Sequence, residues 1–156
     1  MNVDARDGAA STAPVRSLPN VTVGGPTGTL HPVSASIVLL ATDADHVHHE
    51  VDAVMGGDHQ VVRVHAGADV LAAIREHDPV LVVLDLQIGN MGGMAACLDL
   101  RLEERAERIP PQRVVMLLDR DADEFLAKQA EADAWIVKPI DALLLRRTAR
   151  DVLADA

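Results

Sequence analysis

Five short apolar runs, each followed by a segment with helical spacing, limit the folds open to this chain more than any other feature. They are Ile37 to Ala41, Val61 to Val64, Val80 to Leu84, Val114 to Leu118 and Ala134 to Val137. Runs of this length, rich in β-branched residues and without polar alternation, read as strands buried on both faces of a parallel sheet. The segments between them read as helices. Val47, Val51, Val54 and Met55 recur at helical spacing until Gly56 and Gly57, and Ala68 to His77 sets Val70, Leu71 and Ile74 inward. Met94 to about Glu107 carries an apolar stripe at Ala95, Leu98 and Leu102, and Pro110 and Pro111 end it. Asp121 and Glu124 have capping-box spacing for a helix to about Ala130. Asp141 is placed to cap a last helix, in which Leu143, Leu144, Thr148 and Val152 interleave with Arg146, Arg147 and Arg150. Five βα units with short connections predict an α/β fold, an open doubly wound parallel sheet with helices on both faces.

The 156 residues suffice for one such domain and not for two ordinary ones. Phe125 and Trp135 are the only aromatic side chains apart from histidine, so the core must be Val, Leu, Ile, Ala and Met. Residues 1–36 stand apart. They hold Pro14, Pro19, Pro26 and Pro32, four of the 10 glycines, and charges that cancel, so the net −10 belongs to residues 37–156. A segment of that composition forms no core and is read as an extended N-terminal tail. Docking on a protein partner is the role expected of it, with Val21, Val23, Leu30 and Val33 as anchors. Its GGPTGT run lacks the Gly-Lys-Ser/Thr ending of a phosphate loop.

A charge of −10 disfavours nucleic acid and anionic membranes as partners. Cys97 is the single cysteine, which excludes an intrachain disulfide and a structural zinc cluster and suits the cytoplasm. No apolar run approaches the roughly 18 residues of a membrane span, and MNVDARDGAA lacks the apolar region of a signal peptide.

The chemistry gathers where the strands end. In a parallel sheet the carboxyl edge is the ligand-binding edge. Asp43 follows the first run, Asp85 the third, Asp119 the fourth and Lys138 the fifth. The loop after Asp85 holds Gly89, Gly92 and Gly93, so backbone can approach a small ligand closely there. LLATD, VLVVLDLQIGNMGG, VVMLLD and WIVKP, in this order and spacing, resemble the receiver domain of bacterial two-component response regulators, the CheY-like superfamily, over Ile37 to Leu153. The Lys138-Pro139 pair, 53 residues after Asp85, is the most specific of these matches.

That resemblance implies a flavodoxin-like (βα)5 fold of strand order 2-1-3-4-5 and a phosphoacceptor at Asp85, served by a histidine kinase. A carboxylate can attack phosphorus and hold an acyl phosphate. It also implies a Mg²⁺ held by Asp43, Asp85 and the backbone carbonyl of Gln87, and Lys138 as the cation for a phosphoryl oxygen. Several positions depart from the family. Thr42 replaces one of its paired acidic residues, and Leu118 stands where a Ser or Thr hydroxyl would bond the phosphoryl group. Asp119 replaces the small residue after it, Gly89 replaces a loop proline, and Trp135 keeps the aromatic switch position. These changes predict a degenerate pocket.

Other patterns are weaker. Asp43 and Asp45, with Asp119 and Asp123, also resemble the haloacid dehalogenase-type phosphatases, with Asp43 as nucleophile and Asp45 as acid. That family needs a lysine before the second acidic motif, whereas Lys128 and Lys138 both follow it. His46, His48 and His49, with His59, His65 and His77, read as a solvated face rather than a metal site. Asp119, Asp121 and Asp123 imitate a calcium loop, but Glu124 and Ala130 occupy its required glycine and glutamate places.

The expectation is a stand-alone, atypical receiver that is not an enzyme and acts by protein–protein contact. Its partner face is the fourth helix, fifth strand and last helix, with Phe125 and Trp135 as anchors. GGM and LAKQAEADAWIVKPID also resemble stand-alone actinobacterial receivers associated with respiratory NADH:quinone oxidoreductase. That likeness implies an accessory subunit, docked by its tail on such an assembly and peripheral to the membrane through it.

Overall fold

The computed structural model describes residues 35–155. Five strands form one parallel sheet: β1 (Ile37–Ala41), β2 (Gln60–Val64), β3 (Leu81–Asp85), β4 (Val114–Leu118) and β5 (Ala134–Val137), in the spatial order β2-β1-β3-β4-β5. Helices α1 (Asp45–Met55), α2 (Val70–His77), α3 (Gly93–Arg105), α4 (Glu124–Gln129) and α5 (Ala142–Ala154) alternate with them. This is the flavodoxin-like order expected. The tail and its anchors Val21, Val23, Leu30 and Val33 lie outside the described residues.

Strand pleat divides the core into two layers. Leu39, Val82, Leu84, Val114, Met116 and Leu118 pack with α2, α3 and α4 on one side of the sheet. Val38, Leu40, Leu81, Val83, Val115 and Leu117 pack with α1 and α5 on the other. Both faces of β3 and β4 are therefore covered, which is why their sequences show no polar alternation. Each such Val or Leu contributes about 1.5–3 kcal/mol of burial. Val80 is exposed, and the third strand begins one residue later than its apolar run.

Three helix details differ from the sequence reading. On α3 the buried side is Gly93, Ala96, Cys97, Leu100 and Arg101, while Leu98 and Leu102 face solvent with Ala95. Gly93 decides the rotation. A Cβ there would lie 2.5 Å from the Asp85 carbonyl oxygen and 2.8 Å from Leu86 Cα, so only glycine can face the end of β3. Arg101 then turns inward and is saturated by the Glu131 and Gln112 carbonyls and by Glu104 and Asp133. On α5, Leu145, Ala149 and Val152 are buried, whereas Leu143 is 73% exposed and Leu144 also faces solvent. Asp141 does cap this helix, accepting from the Leu144 N–H at 2.9 Å.

The third detail is the start of α4. Asp121 does not pair with Glu124, because a 3₁₀ turn over Asp121–Asp123 precedes the helix. Asp123 accepts from the Arg120 backbone N–H and guanidinium, which holds its carboxyl below the usual range. Among the described residues no helix is long and apolar enough to cross a membrane.

Candidate functional site

The order β2-β1-β3-β4-β5 brings the ends of β1, β3, β4 and β5 side by side, and the chain places a polar group at each. Asp85, the last residue of β3, is only 1% exposed. Burial of an ionised carboxylate is costly unless it is hydrogen-bonded and paired. Three donors meet that need: Thr42 Oγ1 donates to Oδ2 at 2.7 Å, and Lys138 Nζ and the Gln87 backbone N–H donate to Oδ1 at 2.7 and 3.1 Å.

Lys138 divides its charge. Its ammonium also lies 3.2 Å from Asp119 Oδ1, in the loop after β4. Burial pulls the Lys138 pKa down, but the hydrogen bonds and charges of Asp85 and Asp119 outweigh it, so the pKa stands above the ordinary lysine value. The ammonium is held charged.

Thr42 is fully buried, and its hydroxyl also accepts from the Ala44 N–H at 3.1 Å. Ala44 occupies the N-cap of α1, so Asp43 does not cap that helix. Asp43 is exposed, and its Oδ2 accepts from the Gly89 N–H at 2.9 Å. A proline at position 89 has no N–H to give. Gly89 therefore ties the loop after β3 to the loop after β1.

The glycines of that loop serve protein contacts. Gly93 lies against Asp85, and Asn90 and Met91, not the glycines, adopt positive φ of 49° and 76°. The bend presses Met91 O against Gly67, where an added Cβ would come within 1.7 Å.

Leu118 is 0% exposed and packs with Leu84, Met116 and the half-buried Val137 in the core, so it gives the pocket no donor. Trp135 is half-buried against the same layer. Its ring N–H donates to Glu124 Oε2 at 2.9 Å, and Lys128 lies 5.7 Å from the ring centroid. Phe125, on α4, is 55% exposed.

Asp43, Asp85 and the Gln87 carbonyl would offer only oxygen donors, the kind suited to a hard cation that keeps several waters. Asp85 Oδ1 already accepts from both Lys138 and Gln87, whereas Oδ2 accepts only from Thr42 and keeps a second lone-pair direction, so the residues fit Mg²⁺ with one open direction on Asp85 and one fewer carboxylate than an acidic pair would supply. Among the described residues no three His, Cys, Asp or Glu side chains group as metal ligands. Asp45, the acid of the phosphatase alternative, instead pairs with Arg63 at 2.9 Å, and that hydrogen bond and charge hold its carboxyl below the usual range.

Arg63 escaped the sequence reading. It is a lone charge in the strand QVVRV, and its Nε donates to the Thr42 carbonyl at 3.0 Å. A charge inside an apolar strand was the available signal.

Comparison with known proteins agrees with this geometry. Residues 38–150 match the family model described as response regulator receiver domain. The polar-differentiation response regulator DivK of Brucella ovis is 28% identical over 105 residues, covering 67% of this chain and 85% of its own. The BeF3-activated N-terminal receiver domain of Klebsiella pneumoniae RstA aligns with a TM-score of 0.67 and 26% identity, covering 76% of this chain and 98% of its own. The receiver domain of a Pseudomonas aeruginosa sensor histidine kinase, whose structure holds a magnesium ion in the active site cleft, superposes with a TM-score of 0.67 at 17% identity, over 77% of this chain and 98% of its own. A sheet of order β2-β1-β3-β4-β5 with Asp85 and Lys138 joined at its carboxyl edge, and a family match over most of the described residues, lead to one assignment: this chain belongs to the response regulator receiver domain family.

Proposed function

We propose that this chain is an atypical receiver of a two-component phosphorelay that acts by docking on a protein partner, with little dependence on the phosphorylation of Asp85. The burial of Leu118 supports this reading most directly. In phosphoryl transfer a carboxylate oxygen of Asp85 would attack phosphorus, forming a P–O bond as the P–N bond of a phosphohistidine breaks and the imidazole leaves. Lys138 would compensate the phosphoryl charge. Mg²⁺, when bound, supplies further charge neutralisation, and Asp43, Asp85 and the Gln87 carbonyl would hold it.

The phosphorylated state then has little to gain. A two-state element shifts only by the difference in its interactions between the states. Leu118 offers no hydrogen bond, a contact worth about 1.5–3 kcal/mol when charge-assisted. Asp119 competes for Lys138 and adds negative charge beside the phosphoryl position. Output therefore rests on contact surfaces, with the tail (residues 1–36) and the α4–β5–α5 face, Phe125 and Trp135 included, as the docking elements of a cytoplasmic domain spanning 37–156.

The test is affinity capture from native lysate with wild-type protein and Asp85→Ala. Equal capture by both supports docking without signalling, and loss of the partner with Asp85→Ala refutes it. An accessory subunit on an assembly such as respiratory NADH:quinone oxidoreductase draws on the same altered pocket. Capture of such an assembly, with no histidine kinase, would favour that reading.

A further inference from the structure

We propose that Arg63 is a positioning residue of the pocket: from edge strand β2 it clamps both ends of the Thr42-to-Asp45 loop and thereby keeps the Thr42 hydroxyl on Asp85. The inference rests on Asp85 being the functional centre of the proposed receiver, but its test involves neither phosphorylation nor a partner. Arg63 Nε donates to the Thr42 carbonyl at 3.0 Å, and Nη1 reaches Asp45 Oδ1 at 2.9 Å. Between these two anchors lie Asp43 and Ala44. The ladder of β1 on β2 finishes with the Thr42 N–H on the Val64 carbonyl. The Thr42 carbonyl then takes the Arg63 side chain in place of another strand amide.

Every polar group of Thr42 is thereby engaged: N–H on Val64, carbonyl on Arg63, and hydroxyl between the Ala44 N–H and Asp85 Oδ2. Only the planar guanidinium can reach a carbonyl and a carboxylate from one fixed position. A surface ion pair does not account for the arrangement. The Asp45 side chain is 83% exposed, and such pairs contribute little. The Arg63 Nη2, by contrast, is buried with no partner among the described residues, a cost that a solvent-directed arginine would avoid. The carbonyl contact holds the guanidinium where it is, and the chain Arg63, Thr42, Asp85, Lys138 runs across the pocket from β2 to β5.

Amide hydrogen exchange of the full chain, followed by NMR, tests this. The Ala44 N–H reports the Thr42 hydroxyl, the Gly89 N–H reports Asp43, and the Val82 N–H, on the Arg113 carbonyl, reports the core. In Arg63→Met, exchange at Ala44 and Gly89 should rise about tenfold or more while Val82 changes less than about twofold, because the loop opens locally. Arg63→Lys, which can keep one of the two contacts, should recover part of the protection. In a Thr42→Val background, Arg63→Met should add less than about twofold at Ala44, since coupled residues are not additive. Parallel loss at all three amides, or no change at Ala44 and Gly89, would show that Arg63 contributes only stability and would overturn the proposal. Should Arg63→Met fail to fold, Arg63→Lys and Asp45→Asn carry the same comparison.

Discussion

Lys138 Nζ stands 2.7 Å from Asp85 Oδ1, joining the end of β5 to the end of β3 across the intervening strand β4. This contact neutralises the buried carboxylate of Asp85, so folding and pocket chemistry depend on the same ammonium.

Replacing Lys138 by Met leaves Asp85 buried with no counter-ion and should cost about 3 kcal/mol in denaturant unfolding. The pH dependence has a defined sign. Because the folded pKa of Lys138 is raised above 10.5, its contribution is complete below that value and is lost as pH rises through the folded pKa. The stability gap between wild type and Lys138→Met should stay level from about pH 6 to 9 and close only above about 10.5. A gap that closes between about pH 7 and 9 would mean that the ammonium is not held as described.

Gly93→Ala brings a methyl group within 2.5 Å of the Asp85 carbonyl oxygen, where only backbone can yield. Thermal unfolding should show a loss of about 2–3 kcal/mol. Gly92→Ala meets nothing closer than 3.6 Å and should cost less than about 1 kcal/mol. Equal effects at the two positions would refute the close approach of α3 to β3.

Much of this arrangement is legible in sequence because parallel strands need both faces apolar, and strand ends in such a sheet converge. That logic places Asp43, Asp85, Asp119 and Lys138 at one edge and explains the strand order once the family likeness is seen. Helix rotation is another matter. Ala95, Leu98 and Leu102 satisfy helical spacing as well as Ala96, Cys97 and Leu100 do, and only the contact of Gly93 with Asp85 chooses between them. The three consecutive leucines at 143 to 145 pose the same ambiguity on α5. Thr42 reads as a lost carboxylate until its hydroxyl is found on Asp85, 43 residues away. Arg63 is missed for the same reason, its partner Thr42 lying 21 residues off, just past the end of the neighbouring strand β1.

Phe125 is largely exposed and Trp135 is half-buried against the core, so the two aromatics should separate cleanly. Phe125→Ala should change stability by less than about 0.5 kcal/mol while weakening partner capture. Trp135→Ala should cost about 2 kcal/mol through lost burial and the lost bond to Glu124. Unaltered capture by a folded Phe125→Ala protein would remove α4 from the partner face.

A hydroxyl can be returned to the pocket with Leu118→Thr, and the competing carboxylate removed with Asp119→Ala. The first change replaces a fully buried leucine and should destabilise the domain by about 2–4 kcal/mol, measured by urea unfolding. A cost under about 0.5 kcal/mol would contradict the place of Leu118 in the core.

Trp135 fluorescence, titrated with beryllofluoride in the presence of Mg²⁺, tests the central claim most directly, because the indole N–H is bound to Glu124 at the start of α4. Wild-type protein should show almost no saturable change, while the folded Leu118→Thr/Asp119→Ala double variant should respond. A saturable wild-type change that vanishes in Asp85→Ala would contradict the account and establish a working phosphorylation switch.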